Sequence, residues 1–124
     1  MRPESFMPRK LFLPLLILLA LGFYLLVFPP RWLLNLTKRV EVSPQVGAAL
    51  VEKHDCRGCH VIGGQGALNA PKLDKTLSND ETLYAWLANP RAMRPNTAMP
   101  NFRLSDSEIR AIIAYLKVSS SALP

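Results

Sequence analysis

Cysteine and histidine are scarce in this chain, with two of each among 124 residues. A zinc site closed by protein ligands needs four, usually from two Cys/His pairs. No third cysteine exists and His54 is the only histidine besides His60, so no second Cys/His pair is present. Strand-like alternation is also lacking around the cysteines, so the βαβ setting of a thiol–disulfide redox motif is missing. Charge is sparse too. Charged residues make up 19% of the chain and the net charge is +6, with the basic residues dispersed. That excludes the clustered basic face of a nucleic-acid binder. It suits docking to an acidic protein face or to anionic lipid. No internal repeat is present.

Charge is wholly absent from Leu11 to Phe28, LFLPLLILLALGFYLLVF. A helix of that length spans roughly 27 Å, close to a bilayer core. Pro14 and Gly22 are tolerated in membrane helices, and Trp32 stands just beyond as an interfacial anchor would. Arg2, Arg9 and Lys10 precede the run, as in a secretory signal. No A-x-A site ends it, however, and Phe23–Phe28 extends it, so an uncleaved anchor is the reading. Arg31, Lys38 and Arg39 follow the span, and the positive-inside rule is nearly balanced. The expected organisation is a cytoplasmic tail at 1–10, a transmembrane anchor at 11–28, a linker at 29–42 and a globular domain at 43–124. Pro29-Pro30 ends the anchor helix. Leu33, Leu34 and Leu36 make the linker partly apolar, which places it on the membrane surface or on a partner. Fully extended, residues 31–43 reach at most about 45 Å, so the domain stays near the membrane.

What cysteine there is falls within five residues: Cys56-Arg57-Gly58-Cys59-His60. C-x-x-C-H reads as a covalent haem attachment site. Two thiols three positions apart reach the two vinyl groups of one porphyrin. His60 then lies under the iron as a proximal ligand. A domain of about 80 residues is small for an unaided core, and a bound haem supplies apolar volume.

Three helices are expected in the domain. The first has Ser43 as N-cap, Pro44 at its first position and Val46, Ala49 and Leu50 inward. The second starts at Ser78 with Glu81 completing a capping box; Leu83, Trp86 and Leu87 form its apolar stripe. The third has the capping box Ser105-x-x-Glu108, a staple between Leu104 and Ile109, and an apolar face of Ile109, Ile112, Ile113 and Leu116. Between the first two, Gly63-Gly64-Gln65-Gly66 can approach a flat ligand closely.

An electron-transfer haem needs a second axial ligand. The candidates are Met99, Met93 and His54. His54 is too near Cys56 in sequence to cross the porphyrin and is expected at the surface. Met99 sits in Pro95-Asn96-Thr97-Ala98-Met99-Pro100-Asn101-Phe102, which is polar and proline-stiffened, unlike a packing stripe. Met99 is therefore the expected second iron ligand beside His60. His/Met ligation raises the reduction potential and fills both axial positions. Arg57 and Lys72 are candidates to border the haem edge and guide docking, to face a propionate, or, as is more frequent for any one such residue, to lie on the solvated surface.

These residues resemble a class I c-type cytochrome over roughly Gly47 to Leu116. The resemblance is carried by Gly47, Cys56-x-x-Cys59-His60, Gly63-Gly64-x-Gly66, Pro71-x-Leu73, Trp86-Leu87-x-Asn89-Pro90, Thr97-Ala98-Met99-Pro100-Asn101-Phe102 and the helix ending Ala114-Tyr115-Leu116. It implies an all-α fold wrapped around one covalent haem c after an N-terminal transmembrane helix. It also implies that the Pro71 carbonyl accepts a hydrogen bond from His60, orienting the ligand. Cys56, Cys59, His60, Met99, Pro71, Gly64 and Gly66 are then the cofactor-binding residues. Attachment on the outer face of the bacterial membrane puts the domain on the periplasmic side of the inner membrane.

The function so implied is electron transfer, with no catalytic residues of its own, beside redox partner proteins in the membrane. Single-span, single-haem relatives of this kind occur as subunits of quinol-oxidising respiratory or photosynthetic complexes, and Trp86–Tyr115 resembles those. Gly64-Gln65-Gly66-Ala67-x-x-Ala70-Pro71-x-Leu73 resembles the small cytochrome subunit of nitric oxide reductase, with a shorter segment between Pro71 and Met99. A tethered shuttle is the third expectation. Catalysis or sensing at an open haem would require a vacant site that Met99 is expected to fill.

Overall fold

A computed structural model describes residues 9–74 and 78–121. Positions 1–8 of the expected tail and 122–124 of the expected domain lie outside them. The chain divides into two compact units, Met1–Leu33 and Leu34–Pro124.

The first unit is built on α1, Arg9–Val27. None of Lys10–Val27 is buried inside the protein, and it is long and apolar enough to cross a membrane. Phe28 N–H still bonds Tyr24 O at 2.8 Å before Pro29-Pro30 stops the helix.

A short helix, α2, spans Arg31–Thr37. The expected linker at 29–42 is therefore not a free tether from Leu34 onward. Leu34 is buried and Leu36 exposed. Ser105 Oγ donates to Lys38 O at 2.7 Å, and Val40 N–H donates to Ser107 Oγ at 3.1 Å. Residues 34–40 thus lie as a strap along the segment that leads into the last helix. Sequence patterning misses this because the bonds use backbone groups and short polar side chains, not an apolar stripe.

In the second unit, α3 spans Pro44–Lys53, and Ser43 Oγ accepts the Val46 N–H as expected. Helix α4 spans Asp80–Ala88, and its N-cap is Asn79, not Ser78. Asn79 Oδ1 takes the Thr82 N–H at 2.8 Å. Asn caps as well as Ser, and the one-residue shift puts Glu81 out of capping-box position. A single turn, α5 (Pro90–Met93), follows with Pro90 buried at its start. Helix α6 spans Asp106–Ser121. Its capping box is reciprocal: Glu108 N–H donates to Ser105 Oγ at 3.2 Å, and Ser105 N–H to Glu108 Oε2 at 2.9 Å. Both residues are buried, so these bonds satisfy donors that water cannot reach.

Ile109, Ile112, Ile113 and Leu116 of α6 are all buried, joined by Leu50 and Val51 of α3, Leu83 of α4, Ile62 and Leu104. Burying each such side chain contributes about 1.5–3 kcal/mol. The α3/α6 crossing is the main helix contact of the domain. Gly47 makes it possible: a Cβ there would lie 2.0 Å from Ala111 O and 2.7 Å from Tyr115 Cβ. Among the described residues the only strand-type pairing is the bridge Ile62–Gln65, so the domain is all-α.

Candidate functional site

The end of α3 becomes the attachment turn. His54 caps α3, Asp55 takes a left-handed conformation (φ 50°), and Cys56–Gly58 forms one 3-10 turn. Gly58 tolerates the close Asp55 carboxylate, which would meet a Cβ at 2.6 Å. Cys59 N–H and His60 N–H both reach Cys56 O, at 3.3 and 3.0 Å. The two thiols are free; Cys56 is half-buried and Cys59 exposed. Burial pushes the Cys56 thiol up from its ordinary value, and the Asp55 charge adds to that.

The segment after the motif is laced back onto it. Ala67 N–H donates to Arg57 O (2.9 Å), Ala70 N–H to Cys59 O (2.9 Å) and Leu73 N–H to Val61 O (3.0 Å). Gly66 lets this happen: its φ is +128°, and a Cβ there would sit 2.1 Å from His60 O. The Gly64 N–H donates to Asp74 Oδ2 at 3.1 Å, and Gly63 N–H to Asp74 Oδ1 at 2.5 Å. The structure gives the glycine loop the task of folding onto the attachment turn and leaving its amides to Asp74. The sequence offers no signal for Asp74, because the pairing depends on where the loop returns.

The lacing delivers Pro71 to the imidazole. His60 Nδ1 lies 2.7 Å from Pro71 O. A carbonyl only accepts, so Nδ1 carries the proton and Nε2 keeps its lone pair for a metal. An oriented imidazole and two thiols on one turn together fit a covalently attached haem.

Met99 is half-buried in the loop between α5 and α6, with its N–H on Thr97 Oγ1 at 3.2 Å. That loop is pinned at its ends by the buried Pro90 and Leu104. Phe102 packs against the core. Met93 is 43% exposed on α5.

Two expectations change. His54 is not a free surface residue: its ring lies against Phe102 at 5.1 Å between centroids, and its buried Nε2 has no hydrogen-bond partner among the described residues. Burial lowers its pKa, as do Lys53 and Lys38, against the opposing effect of Glu108. Arg57 points inward, not to a docking face. Its Nε donates to Ile62 O (3.2 Å), Nη2 to Tyr115 Oη (2.6 Å), and Nη1 pairs with Glu52. Lys72 is exposed.

The fold and site define a small all-helical haem c protein behind an apolar N-terminal helix. Residues 45–120 match the sequence model of the family Cytochrome c, and the chain belongs to that family. Haem c attaches through Cys56 and Cys59, and the function is membrane-anchored electron transfer. The C subunit of nitric oxide reductase from Stutzerimonas stutzeri is 33% identical over 103 residues, covering 75% of this chain and 67% of that protein. Its counterpart from Paracoccus denitrificans is 32% identical over 89 residues, covering 61% of this chain and 59% of that protein. Cytochrome c oxidase subunit 2 of Alkalihalophilus pseudofirmus is 28% identical over 101 residues, covering 69% of this chain. The chain spans 30% of that oxidase protein's length.

Proposed function

We propose that this chain is the haem c subunit of a membrane-bound terminal reductase or oxidase, of the nitric oxide reductase type. It accepts an electron from a donor protein and hands it to a neighbouring subunit. The observation that carries this is the extent of the likeness. The match to the Stutzerimonas protein covers 75% of the chain, whereas the cytochrome segment 45–120 is about three fifths of it. Likeness therefore continues beyond residues 45–120. The strap of residues 34–40 supports a fixed subunit over a roaming shuttle, since a shuttle is better served by a long flexible tether.

Bound haem supplies a one-electron iron centre. Cys56 and Cys59 would hold it through their sulfurs. His60, oriented by Pro71 O, would offer Nε2 to the iron. Met99 would offer its sulfur as the second ligand, while Gly64 and Gly66 keep the attachment loop close. With both protein ligands bound to the iron the chain would be a carrier and not an enzyme by itself. The domain, residues 43–124 with the strap, works on the periplasmic side of the bacterial inner membrane, anchored by residues 11–28.

The test is a native gel of gently solubilised membranes with a denaturing second dimension stained for haem. A haem-stained band near the chain's mass that descends from a large assembly containing a terminal reductase supports the proposal. Descent from a quinol-oxidising assembly replaces it with that function. A band that runs alone makes the protein a tethered shuttle.

A further inference from the structure

We propose that Arg57 is a positioning residue that fixes a positive charge beside the haem attachment turn and so raises the reduction potential. This rests on haem attachment at Cys56 and Cys59, not on the identity of the surrounding complex.

Arg57 stands between the two attachment cysteines. Its side chain is only 19% exposed, whereas its ion-pair partner Glu52 is 69% exposed. The guanidinium is held on several sides. Nε donates to Ile62 O at 3.2 Å, Nη2 to Tyr115 Oη at 2.6 Å, and the guanidinium carbon lies 5.9 Å from the Tyr115 ring centroid. The Arg57 carbonyl accepts the Ala67 N–H at 2.9 Å. Tyr115 in turn stands at the α3/α6 crossing, beside the Gly47 position. Arg57 therefore ties the attachment turn to both crossing helices and to the loop that brings Pro71 to His60.

The electrostatic consequence follows from the unequal exposure. Glu52 is solvated, so water and salt screen its charge. The neutral acceptors Ile62 O and Tyr115 Oη orient the guanidinium without cancelling its charge. A fixed cation near the porphyrin's attachment points favours the reduced haem, which carries one positive charge fewer than the oxidised form. A lysine keeps the charge and loses the planar fork that serves three acceptors.

The test measures the reduction midpoint of the full haem-loaded chain in detergent, at low and high ionic strength. Arg57→Met is expected to lower the equilibrium constant for reduction at least threefold, about 28 mV at 59 mV per tenfold. Arg57→Lys is expected to retain more than half of the wild-type effect. Glu52→Gln sits on the solvent side of the pair and leaves the attachment turn intact, so it stays informative even if the Arg57 variants load haem poorly. It is expected to raise the midpoint at low salt and to lose that effect at high salt. An unchanged midpoint in Arg57→Met, an equal fall in Arg57→Lys, or no low-salt effect of Glu52→Gln overturns the proposal.

Discussion

Asn35 and Asp106, 71 positions apart, hold each other reciprocally. Asn35 Nδ2 donates to Asp106 Oδ2 and Asp106 N–H donates to Asn35 Oδ1, both at 2.8 Å. Tyr84 Oη also donates to Asp106, at 2.6 Å. One acidic residue at the head of α6 thus gathers the strap and α4. Asn35 also satisfies an N–H of the first turn of α6 that the helix itself cannot.

Asn35→Ala removes both bonds to the head of α6. A loss of about 1–3 kcal/mol is expected. Chemical denaturation gives the stability, and amide exchange at residues 34–40 should quicken more than exchange in α3. Unchanged exchange in the strap would mean that it is held by other contacts.

Gly47→Ala drives a methyl group into Ala111 O, which is backbone and cannot swing away. Overpacking of a tight helix crossing costs typically about 1–3 kcal/mol. A lower denaturation midpoint with haem still covalently attached is expected. A variant as stable as the parent would show that α3 and α6 cross further apart.

The pH dependence turns on His54. Its pKa in the folded protein lies below the ordinary 6.5 because its ring is partly buried, with Lys53 and Lys38 adding to the shift and Glu108 opposing it. The unfolded chain therefore takes up a proton first as pH falls. Stability is undiminished by this group above about 6.5 and is lost as pH drops from there toward the lowered folded value. His54→Gln, which does not titrate, is expected to show a smaller fall in denaturation midpoint between roughly pH 7.5 and 5.5. An equal fall in both proteins would assign the acid sensitivity to the carboxylates.

Met99→Ala is expected to leave the covalent haem in place and open one axial position. Reduced protein should then bind carbon monoxide, and the midpoint should fall, because a Met ligand favours a high potential. If the variant keeps the parent's potential and still refuses carbon monoxide, Met99 is not the ligand and the exposed Met93 is the next to replace.

The local signals in the sequence carried through wherever one segment holds the whole pattern. Ser43-Pro44 starts α3, Ser105-x-x-Glu108 starts α6, and the spacing of Ile109, Ile112, Ile113 and Leu116 gives the buried face, because capping and helical period act within one or two turns. C-x-x-C-H carries the haem class for the same reason: the spacing is itself the chemistry. The choice of Asn79 over Ser78 was not legible, since both residues cap helices and only the fold decides which is in register. The strap, the Asp74 contact with the glycine loop, the inward turn of Arg57 and the seating of His54 on Phe102 were not legible either. Each joins a polar or aromatic group to a partner brought near by the folded chain, and polar pairing has no periodicity to betray it. By itself the sequence determined an apolar anchor, an all-helical domain and a covalent haem. Tertiary structure alone decided that residues 34–40 are bound to the domain and that the charge between the cysteines is held inside, because both depend on which distant groups the fold brings within hydrogen-bond reach.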